Sequence, residues 1–271
     1  ELKGPDKEVL RYREAMHFGY QKFKEIGLTT RTILGIHEKL IPGSHGYRKQ
    51  QNAIMNDRTG EKVYTPPLAL DVSSYIEKWE NFVNEEYKGS LDPLIRCAIC
   101  HYQFEAIHPF GDGNGRTGRI LLALQLVSEK LLHYPVLYMS GYLNKMRPDY
   151  YKTLMGVTAE ADWESYVLFM LEGFKTQASK TKNKLFIMMS EYEKIIEHIK
   201  SKYPKMDARE TANHLFTLPV TNPTFFSKAL GMHYQTASKH LNDLKAIGIL
   251  MDAKVGKNHF YYTVPLFRML T

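Results

Sequence analysis

The sequence predicts a mainly α-helical chain, with a large helical domain first and a small basic domain at its end. Apolar residues recur at helical spacing through most of residues 6–200, which is typical of amphipathic helices. Extended runs around a turn appear near residues 47–67 and again after residue 249. Residues 201–271 hold nine Lys and Arg against four Asp and Glu, so +5 of the net charge of +7 lies there.

The composition is that of an ordinary globular protein of 271 residues, 44% hydrophobic and 24% charged. No apolar run reaches the roughly 18 residues that span a bilayer, and no secretory signal is visible, so we expect no membrane contact. The two cysteines, Cys97 and Cys100, have no second ligand pair to complete a zinc site. We therefore expect reduced core thiols and a cytoplasmic location.

The first domain is predicted to contain at least five helices before residue 130. Asp92 is a suitable N-cap and Pro93 a suitable first helical residue, while Pro109 ends that helix just after His108. The segment after Arg119 is apolar almost all round, as in a helix buried at a domain centre. The predicted helices span residues 6–26, 29–40, 71–86, 93–108 and 119–127.

The stretch between the last two helices is His108-Pro-Phe-Gly-Asp-Gly-Asn-Gly-Arg-Thr-Gly-Arg119. The first amides of a helix lack intrahelical acceptors and carry partial positive charge, so a loop that leads into a helix binds anions. Gly113 and Gly115 let a phosphate approach the backbone and permit positive φ. Arg116 and Arg119 lie three residues apart on one face, where both guanidinium groups reach further phosphate oxygens.

Two other side chains of this stretch suggest the chemistry. His108 is a base that is neutral near pH 7, and Asp112 is a hard oxygen ligand suited to Mg²⁺. Base, metal ligand and anion site together predict attack by a hydroxyl on a phosphate. The spacing is not that of a Walker A loop, and a kinase glycine loop lies between strands rather than before a helix.

This stretch resembles the Fic family motif His-x-Phe-x-Asp/Glu-Gly-Asn-Gly-Arg-x-x-Arg at every specified position, with weaker similarity over roughly residues 8–175. Most similar family members transfer AMP from ATP to a hydroxyl side chain of a target protein. The resemblance implies that His108 is the base, Asp112 the Mg²⁺ ligand and Phe110 a core anchor. It implies that the nucleotide is held by Asp112, Gly113, Asn114, Gly115, Arg116, Thr117, Gly118 and Arg119, with both arginines on the β and γ phosphates.

A β-hairpin is predicted between residues 47 and 65, because two short extended runs flank an Asn-Asp-Arg-Thr-Gly turn and a proline pair follows. In Fic proteins a hairpin here, the flap, pairs with the target segment and helps to close over the nucleotide. Gln50, Gln51 and Asn52 align with the polar run of the flap. The resemblance therefore implies a target protein bound by strand addition near residues 47–65.

Beyond the motif helix, the residues up to Tyr151 lead into a further helix, and Asp162-Trp163 begins an apolar one that continues through Phe174. The family lines its adenosine pocket with a tyrosine pair at the position of Tyr150 and Tyr151. The resemblance implies that both contact the nucleotide, although core packing remains an alternative for Tyr151.

Many Fic proteins carry an inhibitory helix, Ser/Thr-x-x-x-Glu-Gly/Asn, whose glutamate captures the last arginine of the motif. The segment from Ser73 to Lys78 imitates this pattern around Glu77. Its sixth position is lysine, however, and it lies between flap and motif, where the family has a scaffold helix. We therefore predict that Glu77 is not inhibitory, that the N-terminal inhibitory helix is missing from this chain, and that Arg119 is open to ATP.

The C-terminal part is predicted to be a winged helix-turn-helix domain over residues 205–271, joined to a Fic domain at 1–175 by a linker helix at 176–204. Two helices flank Gly231, and two extended runs flank Gly256. The side chains expected to face a major groove are Tyr234, Gln235, Ser238 and Lys239. DNA binding, protein docking and homodimer formation all remain open for this domain.

The sequence thus predicts a protein adenylyltransferase that uses ATP and Mg²⁺ to modify a Tyr, Thr or Ser hydroxyl. Other Fic chemistries remain alternatives, namely UMP transfer, phosphorylation and removal of AMP from a target. Gly115 argues against the kinase-like relatives, which have lysine there. An alternative of another class is a DNA-binding regulator whose Fic core senses nucleotide.

Overall fold

The computed structural model describes residues 4–55, 60, 62–86, 91–256 and 258–270. It divides into two compact units, Glu1–Ser179 and Lys180–Thr271. The predicted fold class is confirmed, because the chain is mainly helical with small antiparallel sheets. The domain boundaries near residues 175 and 204 stay a prediction. The predicted hairpin turn at residues 56–59 lies outside the described residues.

The first unit contains the predicted helices, with small shifts at their ends. Asp92 caps α4 by accepting hydrogen bonds from the backbone N–H of Leu94 and Ile95. A 3-10 turn at Ala69–Asp71 precedes α3, and a π-helical turn at Phe82–Glu86 follows it. The helices are α1 Gly4–Ile26, α2 Thr30–Leu40, α3 Val72–Asn81, α4 Pro93–Ile107, α5 Asn114–Ser128, α6 Ser140–Lys145 and α7 Arg147–Glu160.

The helix α5 lies at the centre of the first unit, as its apolar sequence predicted. One side packs with α1 to α4 in a core that includes Ile33, Ile36, Trp79, Phe104 and Leu124. Its other side packs with α7 and the start of the next helix in a core that includes Cys97, Leu122, Leu126, Tyr166 and Met170. Both cysteines are buried and unpaired. Burial on both sides fixes the start of α5, where the motif lies.

The helix α8 spans Trp163–Lys202 and corrects one expectation. The sequence analysis predicted an apolar helix through Phe174 and a separate linker helix from residue 176, but a single helix covers both segments. No proline or C-terminal glycine follows Phe174 for many residues, so nothing in the sequence ends the helix there. In the described part of the chain, no helix combines the length and the apolar character needed to span a bilayer.

The predicted hairpin pairs β1 Ile54–Met55 with β2 Lys62–Tyr64 in antiparallel fashion. Ile54 lies opposite Tyr64, and Met55 lies opposite Lys62. The Tyr64 hydroxyl donates to the Ala106 carbonyl oxygen over 3.0 Å. That bond attaches the hairpin to the last turn of α4, directly before the motif.

The second unit has the elements of a winged helix. Its three-stranded sheet has the order β3-β5-β4 with antiparallel pairing, and Phe226, Leu241, Leu244 and Tyr261 are among its buried core residues. The helix α9, the strand β3 and the helix α12 were not anticipated. The elements are α9 Ala208–Thr217, β3 Val220–Thr221, α10 Pro223–Leu230, α11 Tyr234–Ala246, β4 Leu250–Val255, β5 Asn258–Thr263 and α12 Val264–Leu270.

Candidate active site

His108 ends α4 in a left-handed conformation, with φ 49° and ψ 59°. Histidine is one of the few non-glycine residues that adopt this region with some frequency. Its backbone N–H still donates to the Phe104 carbonyl over 3.1 Å, and Pro109 prevents continuation of the helix. The turn therefore directs the chain out of α4 with the imidazole at the corner.

The imidazole of His108 is held as a neutral base. Its Nδ1 lies 3.2 Å from the Glu105 carbonyl oxygen. Because a carbonyl oxygen only accepts, Nδ1 carries the proton and Nε2 keeps its lone pair. Burial lowers the pKa of His108, the Glu105 carbonyl opposes that change, and the positive charge of Arg48 lowers it further. The histidine is therefore unprotonated near pH 7.

Asn114 fastens the loop between the two helices. It is 2% exposed, its Oδ1 accepts from the Phe110 N–H over 2.9 Å, and its Nδ2 donates to the Phe110 carbonyl over 2.8 Å. Phe110 is buried in the core, and the His37 ring stacks on it with 3.6 Å between ring centroids. Phe110 thus has the anchoring position that the motif implied. The buried Asn114 side chain is bonded at both its oxygen and its nitrogen in this turn, so its backbone N–H is the group left to contact a phosphate.

The start of α5 presents unpaired amides. Gly113 is its N-cap at φ 80°, and a Cβ there would lie 3.2 Å from Ile41 Cγ1, so both the conformation and the close approach favour glycine. Thr117 N–H donates to the Gly113 carbonyl over 2.9 Å, which leaves the amides of Asn114, Gly115 and Arg116 without intrahelical acceptors. This helix start therefore has the donors that the predicted anion site requires.

One expectation within the motif needs correction. Gly115 lies inside α5 and not among the positive-φ residues, so its glycine does not serve the backbone freedom that we expected. Thr117 is fully buried, with its hydroxyl donating to the Gly113 carbonyl over 3.0 Å. Gly118 is buried as well and faces α4. Both residues therefore support the packing of α5, and their contact with a nucleotide stays a prediction.

Asp112 and Arg116 form a charged pair at the mouth of the site. The Asp112 side chain is 75% exposed, and its Oδ2 lies 3.1 Å from Arg116 Nη2. Its Oδ1 accepts from the Gly113 N–H, and its backbone carbonyl lies 2.9 Å from His37 Nε2. Arg116 also contacts Glu8 of α1 over 3.0 Å. Both groups are thus oriented by neighbours yet open to a ligand.

The donor set at Asp112 fits Mg²⁺ that arrives with a nucleotide. Among the described residues, no group of three or more His, Cys, Asp or Glu side chains could hold a metal ion by itself. Mg²⁺ commonly takes one or two carboxylates and fills its other positions with phosphate oxygens and water. A single exposed carboxylate next to an anion site matches that requirement.

Arg119 lies deeper than Arg116, beside a carboxyl group that the sequence analysis missed. Its buried Nε has no hydrogen-bond partner among the described residues, and neither does Oε1 of Glu105. Burial raises the pKa of Glu105 to about 7, while Arg119 opposes that rise. A Cβ at Gly118 would lie 2.3 Å from Glu105 Oε1, so the carboxyl group fits only because residue 118 is glycine.

The inhibitory pattern at Glu77 is not used. Glu77 lies in α3 with an exposed side chain, and it forms no ion pair within the described residues. Arg119 likewise has no carboxylate within ion-pair distance in that part of the chain. That Arg119 is open to ATP stays a prediction.

The two predicted nucleotide tyrosines differ. Tyr150 is 7% exposed, and its hydroxyl bonds to His101 Nε2 over 2.9 Å inside the second core. Tyr151, for which core packing remained open, is 52% exposed. Tyr150 is thus packed in the core while Tyr151 is exposed, and the contact of both with the nucleotide stays a prediction.

A groove of about 720 Å³ opens beside Arg119, between α1 and residues 134–139. Its size falls within the usual range for small-molecule sites. Two of its tyrosines, Tyr134 and Tyr138, are more than half exposed. The sequence analysis missed this groove, because its walls come from segments more than 100 residues apart.

Arg48, which the sequence analysis missed, connects the flap residues with the motif. Gln51 Nε2 donates to the Pro66 carbonyl over 2.9 Å, and Asn52 Nδ2 lies 3.4 Å from the Phe110 carbonyl. The Gln50 side chain is exposed. Arg48 is only 8% exposed and bonds to both His108 and the flap. In sequence it resembled one member of a solvated Arg-Lys-Gln-Gln run, and no signal set it apart.

Comparison with known families matches two parts of the chain. Residues 27–126 match the Fic/DOC family, and residues 192–266 match the C-terminal domain of protein adenylyltransferases described as SoFic-like. The first match contains the whole motif and the flap. The second contains the described helix-turn-helix.

Relatives share a limited part of their length with this chain. Protein adenylyltransferase Fic from Drosophila willistoni is 28% identical over 149 residues, 55% of this chain and 28% of that protein. A probable protein adenylyltransferase from Aquifex aeolicus is 35% identical over 127 residues, 46% of this chain and 38% of that protein. The matched region thus spans well under half of these curated relatives.

Solved structures share the fold. A Fic family protein from Desulfovibrio desulfuricans G20 aligns with a TM-score of 0.56 at 22% identity, over 97% of this chain and 77% of that one. Fic-1 from C. elegans aligns with a TM-score of 0.52 at 23% identity, over 66% of this chain and 52% of that one.

Proposed function

From the Fic/DOC domain at residues 27–126 and the SoFic-like C-terminal domain at residues 192–266, we propose that this protein is a protein adenylyltransferase. It transfers AMP from ATP to a Tyr, Thr or Ser hydroxyl of a target protein. Two relatives that carry this name support the proposal, one of them 35% identical over the matched region. The flap near residues 47–65 is the surface on which the target segment docks, by adding a strand beside β2.

The reaction follows from the position of His108. The Nε2 lone pair takes the proton of the target hydroxyl as its oxygen attacks the α-phosphorus. A new P–O bond forms there, and the bond to the β-phosphate oxygen breaks, so pyrophosphate leaves with the electron pair. The Glu105 carbonyl holds the imidazole in the required tautomer. Such a base contributes about 10²–10⁴-fold.

The helix start supplies the charge stabilisation. The amides of Asn114, Gly115 and Arg116 point toward phosphate oxygens, with Arg116 and Arg119 beyond them. Asp112 would hold Mg²⁺, which neutralises phosphate charge when bound. Arg116 exchanges its contacts with Glu8 and Asp112 for the nucleotide. These groups bind and orient, so most of the catalysis is positioning and charge neutralisation.

We place the reaction in the cytoplasm, where ATP is available. Buried unpaired thiols such as Cys97 and Cys100 also persist in reducing compartments.

The single observation that carries the proposal is the neutral His108 next to an anion-binding helix start. The test incubates the protein with Mg²⁺ and ATP labelled at either the α or the γ phosphate. We expect the α label to become attached to the protein or to a protein of the lysate. Attachment of the γ label instead would indicate phosphorylation, and preference for α-labelled UTP would indicate UMP transfer. A mass increase equal to AMP identifies the product.

A second candidate function, DNA binding by the C-terminal unit, is favoured by its charge. Residues 211–242 contain no Asp or Glu, and within them Lys228 and Lys239 are exposed. Tyr234 and Gln235 are exposed at the start of α11, the helix expected in a major groove. An acid-free helix-turn-helix surface suits the phosphate backbone of a duplex.

The test measures binding of a mixed-sequence DNA duplex at several salt concentrations. Affinity should fall steeply with salt, and Lys239→Ala should weaken binding and reduce the salt slope by about one. Lys175→Ala, an exposed lysine on α8 of the first unit, is the control. If Lys239→Ala binds the duplex as tightly as the native protein, or if the intact chain binds no duplex, protein docking or dimer formation would be favoured.

A further inference from the structure

Arg48 is a buried cation bonded to the turn that carries the base. Its side chain is buried, and it lies in the segment that leads to strand β1 of the flap. Its backbone N–H donates to the Pro109 carbonyl over 2.9 Å, and its Nε donates to the His108 carbonyl over 3.0 Å. Both acceptors belong to the left-handed turn at the end of α4. Arg48 therefore holds this turn by hydrogen bonds from both its main chain and its side chain.

The other nitrogens of the same guanidinium reach the base of the flap. Nη1 donates to the Gln50 carbonyl over 3.4 Å and lies 3.5 Å from Gln51 Oε1. Nη2 donates to the Pro67 carbonyl over 2.5 Å. Because residues 50 and 67 bracket the hairpin, one planar group closes the base of the flap. Lysine could not reproduce these contacts, since it lacks the rigid fork of donors.

The charge of Arg48 also acts on the base. All the acceptors around its guanidinium are neutral oxygens, and no carboxylate lies within 4 Å among the described residues. Among the described residues, the Glu105 carbonyl faces the His108 imidazole from its own helix, and the charge of Arg48 acts on it from the segment before β1. Of these two, Arg48 alone is charged, and its charge disfavours the imidazolium form.

We propose that Arg48 is a positioning residue that couples the flap, where the target segment docks, to the catalytic turn at His108. This inference rests on the proposed transfer reaction. The planar guanidinium is bonded both to the base of the flap and to the His108 carbonyl. A target strand that orders the hairpin therefore also restricts the position of the turn at His108. The same cation keeps the imidazole ready to accept a proton.

Two substitutions separate the geometric effect from the charge effect. Arg48→Lys keeps the charge and loses the fork, whereas Arg48→Gln loses both. Arg31→Gln is the matched control, because Arg31 lies on α2 outside residues 47–65, is exposed, and has no side-chain hydrogen bond or ion pair in the described part of the chain. Three readouts apply to each: self-labelling from α-labelled ATP, NMR titration of His108, and hydrogen exchange of the flap amides at residues 50–55.

We expect self-labelling to fall about 10- to 100-fold in both Arg48 variants, the usual cost of a small misplacement near the reaction. The flap amides should exchange faster in both. The pKa of His108 should rise toward its ordinary value in Arg48→Gln and stay low in Arg48→Lys, so the acid limb of activity moves to higher pH only in the former. Arg31→Gln should match the native protein throughout.

Unchanged exchange of the flap amides in Arg48→Lys would overturn the coupling. An unchanged pKa of His108 in Arg48→Gln would overturn the electrostatic part. If Arg48→Gln does not fold, the hydrogen exchange of the flap amides in Arg48→Lys still tests the coupling. If the native protein attaches no label at all, the proposed transfer fails, and the titration and exchange data still judge the role of Arg48.

Discussion

The motif loop and the flap hairpin meet at Phe110, yet they hold it in different ways. On the motif side, Asn114 is buried and forms two short reciprocal bonds with the Phe110 backbone. On the flap side, Asn52 makes one longer contact of 3.4 Å to the same carbonyl, and its Oδ1 is buried without a partner among the described residues. Asn114 thus holds the Phe110 backbone firmly, whereas Asn52 makes only a weak contact with it.

This difference suits two tasks. The motif must hold phosphates and base in one geometry, which two buried bonds and a stacked ring provide. In the proposed function the flap receives a segment of another protein, and its strands have only two and three residues. Elements with few buried contacts belong to the least stable parts of a fold. The flap is therefore held less firmly than the motif loop, which suits the docking role that we propose for it.

The comparison first predicts a large effect at the open face of the motif. Asp112→Ala should lower transfer by about 10- to 100-fold, because the ligand for Mg²⁺ and one partner of Arg116 are both lost. Raising Mg²⁺ should recover only part of the rate. Glu8→Gln removes the other partner of Arg116 and should cost no activity. Rates measured across a Mg²⁺ series check this, and full activity of Asp112→Ala in chelator would remove Asp112 from the mechanism.

The comparison between the two asparagines predicts unequal costs in stability. Asn114→Ala leaves both polar groups of Phe110 without their partner in the interior and should lower the free energy of unfolding by about 1–3 kcal/mol. Asn52→Ala should change it by less than about 0.5 kcal/mol. Urea denaturation of both variants measures this difference. Equal losses would mean that the flap is held as firmly as the motif.

An effect that depends on pH concerns the buried carboxyl group beneath the motif. The pKa of Glu105 is raised from 4.5 to about 7 by burial, so the folded state binds more protons than the unfolded state between these pH values. Stability must therefore fall as pH rises through this window. In Glu105→Gln that fall should be smaller, by on the order of 2 kcal/mol between pH 4.5 and pH 8.

Denaturant unfolding at several pH values compares the native protein with Glu105→Gln. Glu38→Gln, which changes an exposed glutamate on α2, is the control and should follow the native curve. Identical pH dependence of the native protein and Glu105→Gln would show that the carboxyl group is not buried in the way described.

Much of the fold was predictable because its signals are local. Asp92 and Pro93 mark the start of α4, and the apolar run after Arg119 marks a central helix. The motif was predictable because its chemistry lies within twelve consecutive residues. Gly115 was misjudged because φ depends on where α5 begins, and the helix starts at Asn114, earlier than its apolar pattern indicated.

The rest depends on contacts between distant segments. Arg48 acquires its role only when the turn at His108 and the end of the flap reach it, so its neighbours in sequence gave no warning. Tyr150 and Tyr151 are adjacent and alike, and only the packing of α7 decides which one is buried. One signal for Glu105 was available, since it lies among the apolar residues Phe104, Ala106 and Ile107 on the predicted helix before the motif.

The most direct test of the account measures ATP affinity and transfer side by side in His108→Ala. The imidazole acts on the target hydroxyl and not on the phosphates, so we predict nearly unchanged ATP affinity and a loss of transfer of about 10²–10⁴-fold. Isothermal titration with ATP and Mg²⁺ gives the first quantity, and labelling from α-labelled ATP gives the second. A variant that loses affinity as severely as activity would contradict the assignment of His108 as the base.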